Sequence, residues 1–256
     1  MKRKSLAVIP ARYKSSRFEG KPLAMLHNKP MVMHVYDAAC ASNLFDRVVV
    51  ATDDTRIFAV VKEYGGDCVM TSSTLRNGTE RVAQTAEILE KENPNEHYDI
   101  IINVQGDEPL IKKEILSLLI DGFSGDNADI VTLKKAITDI EDIKDPNVVK
   151  VVAANDRALY FSRSAVPFNR DEKLENLLDK GIYYKHIGIY GYKSEVLKKI
   201  VTLEESKLEK TEKLEQLRWL ENGYNIVAMT TIWDTIGVDT PQDLEKAEQL
   251  MNSQNR

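Results

Sequence analysis

Cysteine is scarce in this chain. Two residues in 256, Cys40 and Cys68, permit no disulfide framework, and no C-x-x-C pair suggests a redox or zinc motif. Both sit in apolar stretches, and such usage fits a reducing, cytoplasmic setting. Long apolar runs are also missing: none approaches the ~18 residues of a membrane span. The run after the basic start MKRK is far too short for a signal peptide. Nor is there a basic excess. Lysine and arginine total 35 against 40 acidic residues, a formal net charge of −5, which argues against a nucleic-acid partner. No repeat, low-complexity tract, Walker A loop or D-x-D triplet occurs. What is present is an ordinary globular balance, 43% hydrophobic and 29% charged, long enough to bury a large core in one or two domains.

The stretch LAVIPARYKSSRFEGKPL (Leu6 to Leu23) is the most informative. Leu6-Ala7-Val8-Ile9 reads as a strand buried on both faces, ended by Pro10. Arg12, Lys14, Ser15, Ser16, Arg17 and Lys21 follow, with Gly20 to let backbone approach a ligand. A basic loop at the carboxyl end of a buried strand lies where open α/β sheets bind ligands, and its forks and point charges suit phosphate. On an acidic protein it points to a small polyanion.

Further along, apolar strands alternate with amphipathic helices. The strands are Arg47 to Ala51, Asp67 to Met70, Asp99 to Val104 and Asp129 to Leu133. The helices are Met31 to Ala41, one carrying Ile57, Val60 and Val61, one opened by Arg76–Arg81 and stopped by Pro94, and one from Lys112 to about Phe123. This alternation predicts a mostly parallel central sheet flanked by helices. From Asn147 the rhythm changes to strands with little helix between them, predicting a smaller strand-rich lobe at 150–205. The charged segment 169–180 reads as a surface excursion. A single helix is expected from Lys207 to Glu221, then a strand at Asn225 to Thr230 and a helix from Pro241 to Met251.

Several residues stand where chemistry is done. Asp107 follows a buried strand through Gly106, and Asp239 lies in GVDTP; each suits Mg²⁺ or, equally, a helix cap. Gly78 and Thr79 precede a helix whose amides could hold a phosphate or read a base. Arg81 could instead pair with an acid. In strand 186–192, period two puts His186, Gly188, Tyr190 and Tyr192 on one face, like a polar pocket wall. Arg163 follows an apolar strand and could meet a carboxylate. On the helix from Lys207, Leu208, Glu212, Glu215 and Trp219 form one stripe.

Together, the stretches IPARYKSSRFEGKPL, VATDD, NGTER, VQGDEP, NVVKVV, ALYFSRSAVPF, KHIGIYGY, LEKTEKLEQLRWL and GVDTPQDLE resemble the 3-deoxy-manno-octulosonate (Kdo) cytidylyltransferases. They run in order from residue 9 to about 245. The resemblance implies a nucleotide-diphospho-sugar transferase-like α/β fold, a single cytidylyltransferase domain over 1–256 and a cytoplasmic homodimer. It implies CTP + Kdo → CMP-Kdo + diphosphate with Mg²⁺, serving lipopolysaccharide synthesis. Arg12, Arg17 and Lys21 would neutralise the triphosphate, and with Asp107 form the catalytic set. Asn77, Gly78, Thr79 and Arg81 would contact the nucleotide, and Asp107 and Asp239 would bind Mg²⁺. Gln105, Arg163, His186, Tyr190, Glu212, Glu215 and Gln216 would line the sugar site. Glu19 stands where the family usually has proline, and Asn77 where serine is common. Competing readings are a cytidylyltransferase for 8-amino-Kdo or a sialic acid, a glycosyltransferase (disfavoured by the missing D-x-D), and a non-catalytic nucleotide-binding protein. The last would be expected to lose a metal aspartate or loop cation, and this chain keeps both.

Overall fold

The computed structural model describes residues 3–125, 127–170, 178 and 181–254. Most of the charged segment 169–180 therefore lies outside the described residues. In chain order the elements are β1 (Ser5–Ala11), a 3-10 turn (Lys21–Leu23), the ribbon β2 (Met25–Leu26) and β3 (Lys29–Pro30), α1 (Met31–Ala41), β4 (Arg47–Thr52), α2 (Thr55–Glu63), β5 (Cys68–Met70), α3 (Gly78–Glu92) and β6 (Ile100–Asn103). There follow α4 (Lys113–Asp121), β7 (Ile130–Ala136), α5 (Ile140–Lys144), β8 (Lys150–Ala154), β9 (Arg157–Ser162) and β10 (Tyr184–Lys193). The chain closes with α6 (Ser194–Ile200), α7 (Lys207–Glu212), α8 (Gln216–Glu221), β11 (Ile226–Thr230) and α9 (Pro241–Gln254). Two compact units result: Met1–Ser117 with Lys193–Leu197 and Thr235–Arg256, and Leu118–Tyr192 with Lys198–Asp234.

In the first unit, β5-β4-β1-β6 form a parallel run. Parallel strands need crossovers, and α1, α2 and α3 supply them while packing on the sheet. Leu6, Ala7, Val8 and Ile9 are fully buried, as their unbroken apolar run predicts. α3 buries Val82, Ala86 and Leu89 at helical spacing, and α2 buries Ile57 and Val61. Asp54 caps α2 by accepting from the Arg56 amide. Cys68 is buried, whereas Cys40 is exposed on α1, so only one of the two thiols has the apolar setting expected.

The second unit is mixed. β11 runs parallel to β7, while β10 is antiparallel to β7 and β9 is antiparallel to both β11 and β8. The loss of βα rhythm in the sequence thus corresponds to antiparallel pairing. The expected helix over 207–221 is two helices, because Lys213 takes a left-handed conformation (φ 55°, ψ 46°). Arg163 explains the break. A continuous helix would give the Glu212 carbonyl to the Gln216 amide, but here that carbonyl accepts Arg163 Nε at 2.7 Å. Among the described residues, no helix is long and apolar enough to cross a membrane.

Candidate active site

The carboxyl ends of β1 and β6 open on a cavity of about 390 Å³. Its lining includes Arg12, Lys14, Ser15, Ser16, Arg17 and Lys21 from the basic loop, Asn77 and Gly78 at the start of α3, and Gln105, Asp107 and Asp239. Gly106 is needed for this layout: a Cβ there would lie 2.5 Å from the Pro10 carbonyl oxygen, so only glycine lets the two strand ends approach.

The two aspartates meet at one cation. Lys21 Nζ donates to Asp107 Oδ2 at 2.7 Å and to Asp239 Oδ1 at 3.1 Å. The Val238 amide donates to the Asp107 carbonyl at 2.8 Å, tying the two segments by backbone as well. Neither aspartate is spent on capping α9. Thr240 Oγ1 accepts from the Asp243 amide, and Asp243 Oδ2 accepts from the Thr240 amide. Arg17 reaches Asp239 Oδ2 at 3.0 Å with its side chain 65% exposed. A pair so exposed is worth about 0–1 kcal/mol, so Arg17 is easily traded to a stronger anion.

Arg12 is held differently. Its guanidinium donates to the carbonyls of Leu75 (2.8 Å) and Arg76 (3.2 Å), joining the basic loop to the segment before α3. Asn77 caps α3 by accepting from the Glu80 amide at 2.9 Å, so asparagine performs the capping expected of serine. The helix N-terminus therefore faces the cavity through Asn77 and Gly78.

Arg81 takes the acid-paired alternative rather than the nucleotide contact that the resemblance implies. It is fully buried, donating to Thr71 Oγ1 and lying 3.3 Å from Asp53 Oδ1, rather than lining the cavity. Burial pulls its pKa below the ordinary value, with Asp53 opposing and the Arg12 charge adding to the fall. Thr79 is also buried. These two support the start of α3 from inside. Glu108 was not anticipated. Burial first, then the Asp107 charge, push its carboxyl up to about 8, against a hydrogen bond with Thr235. Both effects favour its protonated form beside the charged pair. Its only sequence signal is its place between Asp107 and Pro109.

The sugar-site candidates of the second unit are engaged within it. Arg163 does not present a free fork. Besides the Glu212 carbonyl, it donates to the carbonyls of Pro146 (2.9 Å) and Lys213 (3.5 Å). Glu212 accepts from Ser162 Oγ at 2.6 Å and from the Arg163 amide at 2.9 Å. Glu215 pairs with the buried Arg218 at 2.7 Å, so the break at Lys213 sends the two acids to different partners. Gln216 is buried at the start of α8.

Of the predicted face of β10, His186, Tyr190 and Tyr192 pack together, while Gly188 is exposed with open space beside it. His186 lies 5.4 Å from Tyr190 between ring centroids, Tyr190 stacks at 6.0 Å on Tyr192, and Trp219 meets Tyr190 edge-on at 5.2 Å. A register shift between Ile187 and Gly191 bulges the strand opposite Thr132. The Thr132 hydroxyl lies 2.8 Å from the Ile189 carbonyl and 2.9 Å from His186 Nε2. If it donates to the carbonyl, it accepts from the imidazole. Burial lowers the His186 pKa to about 3, so the ring is neutral. Tyr190 Oη and Trp219 Nε1 are buried with no hydrogen-bond partner among the described residues.

A family model described as cytidylyltransferase matches residues 6–229. The 3-deoxy-manno-octulosonate cytidylyltransferase of Thermodesulfovibrio yellowstonii is 50% identical over 251 residues, covering 97% of this chain and 98% of that relative. That of Parabacteroides distasonis is 46% identical over 249 residues, covering 95% and 96%. A solved CMP:2-keto-3-deoxy-manno-octonic acid synthetase complexed with CTP superposes with a TM-score of 0.88 at 40% identity, covering 98% of this chain and 99% of that one. A 4-diphosphocytidyl-2C-methyl-D-erythritol synthase, at 15% identity and a TM-score of 0.65 over 98% and 99%, shares the α/β fold. With a family model matched over residues 6–229 and relatives up to 50% identical over nearly its whole length, the chain belongs to the 3-deoxy-manno-octulosonate cytidylyltransferase family.

Proposed function

We propose that the protein transfers CMP from CTP to the anomeric hydroxyl of 3-deoxy-manno-octulosonate, releasing diphosphate. The observation that carries this reading is the convergence of four loop cations, a helix N-terminus and two aspartates on one cavity. The full-length identity to relatives named for this reaction supports the choice of sugar acid.

Arg12, Arg17 and Lys21 bind the triphosphate and stabilise charge that grows on it as the hydroxyl oxygen attacks the α-phosphorus in line. The bond from that phosphorus to the bridging oxygen breaks, diphosphate leaves with the electron pair, and the hydroxyl gives its proton to water. Positioning and charge stabilisation supply most of the rate. Asp107 and Asp239 fit a divalent cation, because they already share one positive charge, the Lys21 ammonium, at hydrogen-bond distance. Mg²⁺ on two carboxylates, completed by water and phosphate oxygens, would neutralise phosphate charge and lower the pKa of the attacking hydroxyl.

For the sugar, the reading keeps Gln105, which lines the cavity; Arg163, Glu212 and Glu215 are held by partners of their own. The enzyme is proposed to work as a cytoplasmic homodimer using the strand-rich region 150–205. A monomeric mass by light scattering at micromolar concentration would remove that part. Diphosphate release with CTP and a panel of sugar acids tests the activity. Kdo should give the highest kcat/KM. A tenfold preference for 8-amino-Kdo or a sialic acid would change the substrate and keep the reaction class.

A further inference from the structure

The basic loop is braced by a stack that no cavity-lining residue provides. Arg56, in the first turn of α2, lays its guanidinium carbon 3.3 Å from the centre of the Tyr13 ring. The guanidinium is itself fixed: Asp54 accepts Nε at 2.9 Å and Nη2 at 2.7 Å with the carboxylate that also caps α2. Tyr13 in turn packs on Gly20. The Gly20 amide donates to the Tyr13 carbonyl at 2.8 Å. A Cβ on Gly20 would lie 3.1 Å from Tyr13 Cζ and Oη, so the ring occupies the space a side chain would need. Gly20 has φ +70°, the left-handed region that favours glycine. The next residue is Lys21, whose ammonium joins Asp107 and Asp239. Glu19 adds a further attraction for Arg56.

Carboxylate, guanidinium, ring and glycine backbone thus form one chain of contacts from the end of β4 to Lys21. Neither Tyr13 nor Arg56 lines the cavity. A guanidinium seated on an aromatic face is oriented as well as attracted, and at a partly exposed site the contact is worth about two- to fivefold in an equilibrium constant. We propose that Tyr13 and Arg56 are positioning residues that hold the 12–20 loop and Lys21 in the phosphate-binding conformation. This rests on reading the cavity as the CTP site.

The test uses the full chain with Tyr13→Ala, Arg56→Ala, both together, and Tyr13→Phe, which keeps the ring. Calorimetric binding of CTP, KM for each substrate and the rate of tryptic cleavage after Lys14 and Arg17 are measured. Each alanine variant should weaken CTP binding about fivefold and speed loop cleavage by a similar factor. The KM for the sugar acid should stay within twofold, and the melting midpoint within a few degrees. Because the two side chains act as one contact, the double variant should be no worse than the weaker single. Tyr13→Phe should restore both readouts. Unchanged cleavage and CTP affinity in both alanine variants, equal rises in the two KM values, or fully additive losses would overturn the proposal. If the parent chain binds no CTP, the reading of the cavity falls, and the cleavage rates still decide whether the stack braces the loop.

Discussion

The two units use charge in opposite ways. In the first, cations and carboxylates from separate segments meet at a cavity wall through contacts that a ligand can replace: Arg17 on Asp239, and Lys21 between two aspartates. In the second, the polar residues of interest are tied to backbone or to one another. Arg163 holds three carbonyls, Glu212 holds Ser162 and an amide, and Glu215 holds Arg218. The first arrangement is poised to exchange partners; the second fixes the path of the chain. A charged residue near a site can therefore be a ligand group or a strut, and its partners distinguish the two.

The sharpest way to break this contrast is at the aspartates. Asp107→Asn and Asp239→Asn should each lower kcat by about 10²–10³-fold, as expected when a charge-stabilising group is removed. Circular dichroism should show an intact fold. Near-normal turnover at saturating Mg²⁺ would remove either residue from the metal set. Next come the loop cations. Lys21→Ala and Arg17→Ala should cut kcat/KM for CTP about 10- to 100-fold, and that for the sugar acid less, if they meet charge developing on the triphosphate. The reverse ranking would place them with the sugar.

The strut side of the comparison makes a stability prediction. Arg163→Ala strands carbonyls in three residues and should cost about 1–3 kcal/mol in denaturant unfolding, whereas exposed Arg17→Ala should stay within about 0.5 kcal/mol. Equal costs would erase the distinction. The last test is a pH slope. His186 is held neutral with a folded-state pKa of about 3, against an ordinary value of 6.5. Below pH 6.5 the unfolded chain takes up the proton that the folded chain refuses. This contribution is therefore complete above pH 6.5 and declines as pH falls towards 3. His186→Asn should flatten the acid limb of stability measured between pH 6.5 and 4. An unchanged limb would mean that the imidazole reaches solvent.

How much of this was legible in the sequence differs between the units for the same reason. The apolar runs at β1, β4 and β6 are local signals, and a parallel sheet sends their carboxyl ends to one edge, so Arg12, Arg17, Lys21, Gln105 and Asp107 follow from position; Asp239 stands at no strand end but in the segment before α9, and the fold brings it there. Arg81 does not, because helical position says nothing about whether a long side chain turns to the cavity or to Asp53. The stripe through Glu212 and Glu215 assumed a continuous helix, and no local residue announced the break at Lys213.

The sequence by itself determined the alternation of strands and helices and the strand-end basic loop, because these depend on periodicity and on residues close in the chain, and its long motifs carried the family resemblance. Only the tertiary structure decided which charges pair. Lys21 joins Asp107 and Asp239, Arg56 stacks on Tyr13 and Arg163 takes the Glu212 carbonyl across 49 residues. Such contacts depend on where distant segments come to rest, and one intercepted carbonyl is enough to divide a helix that its own residues would have continued.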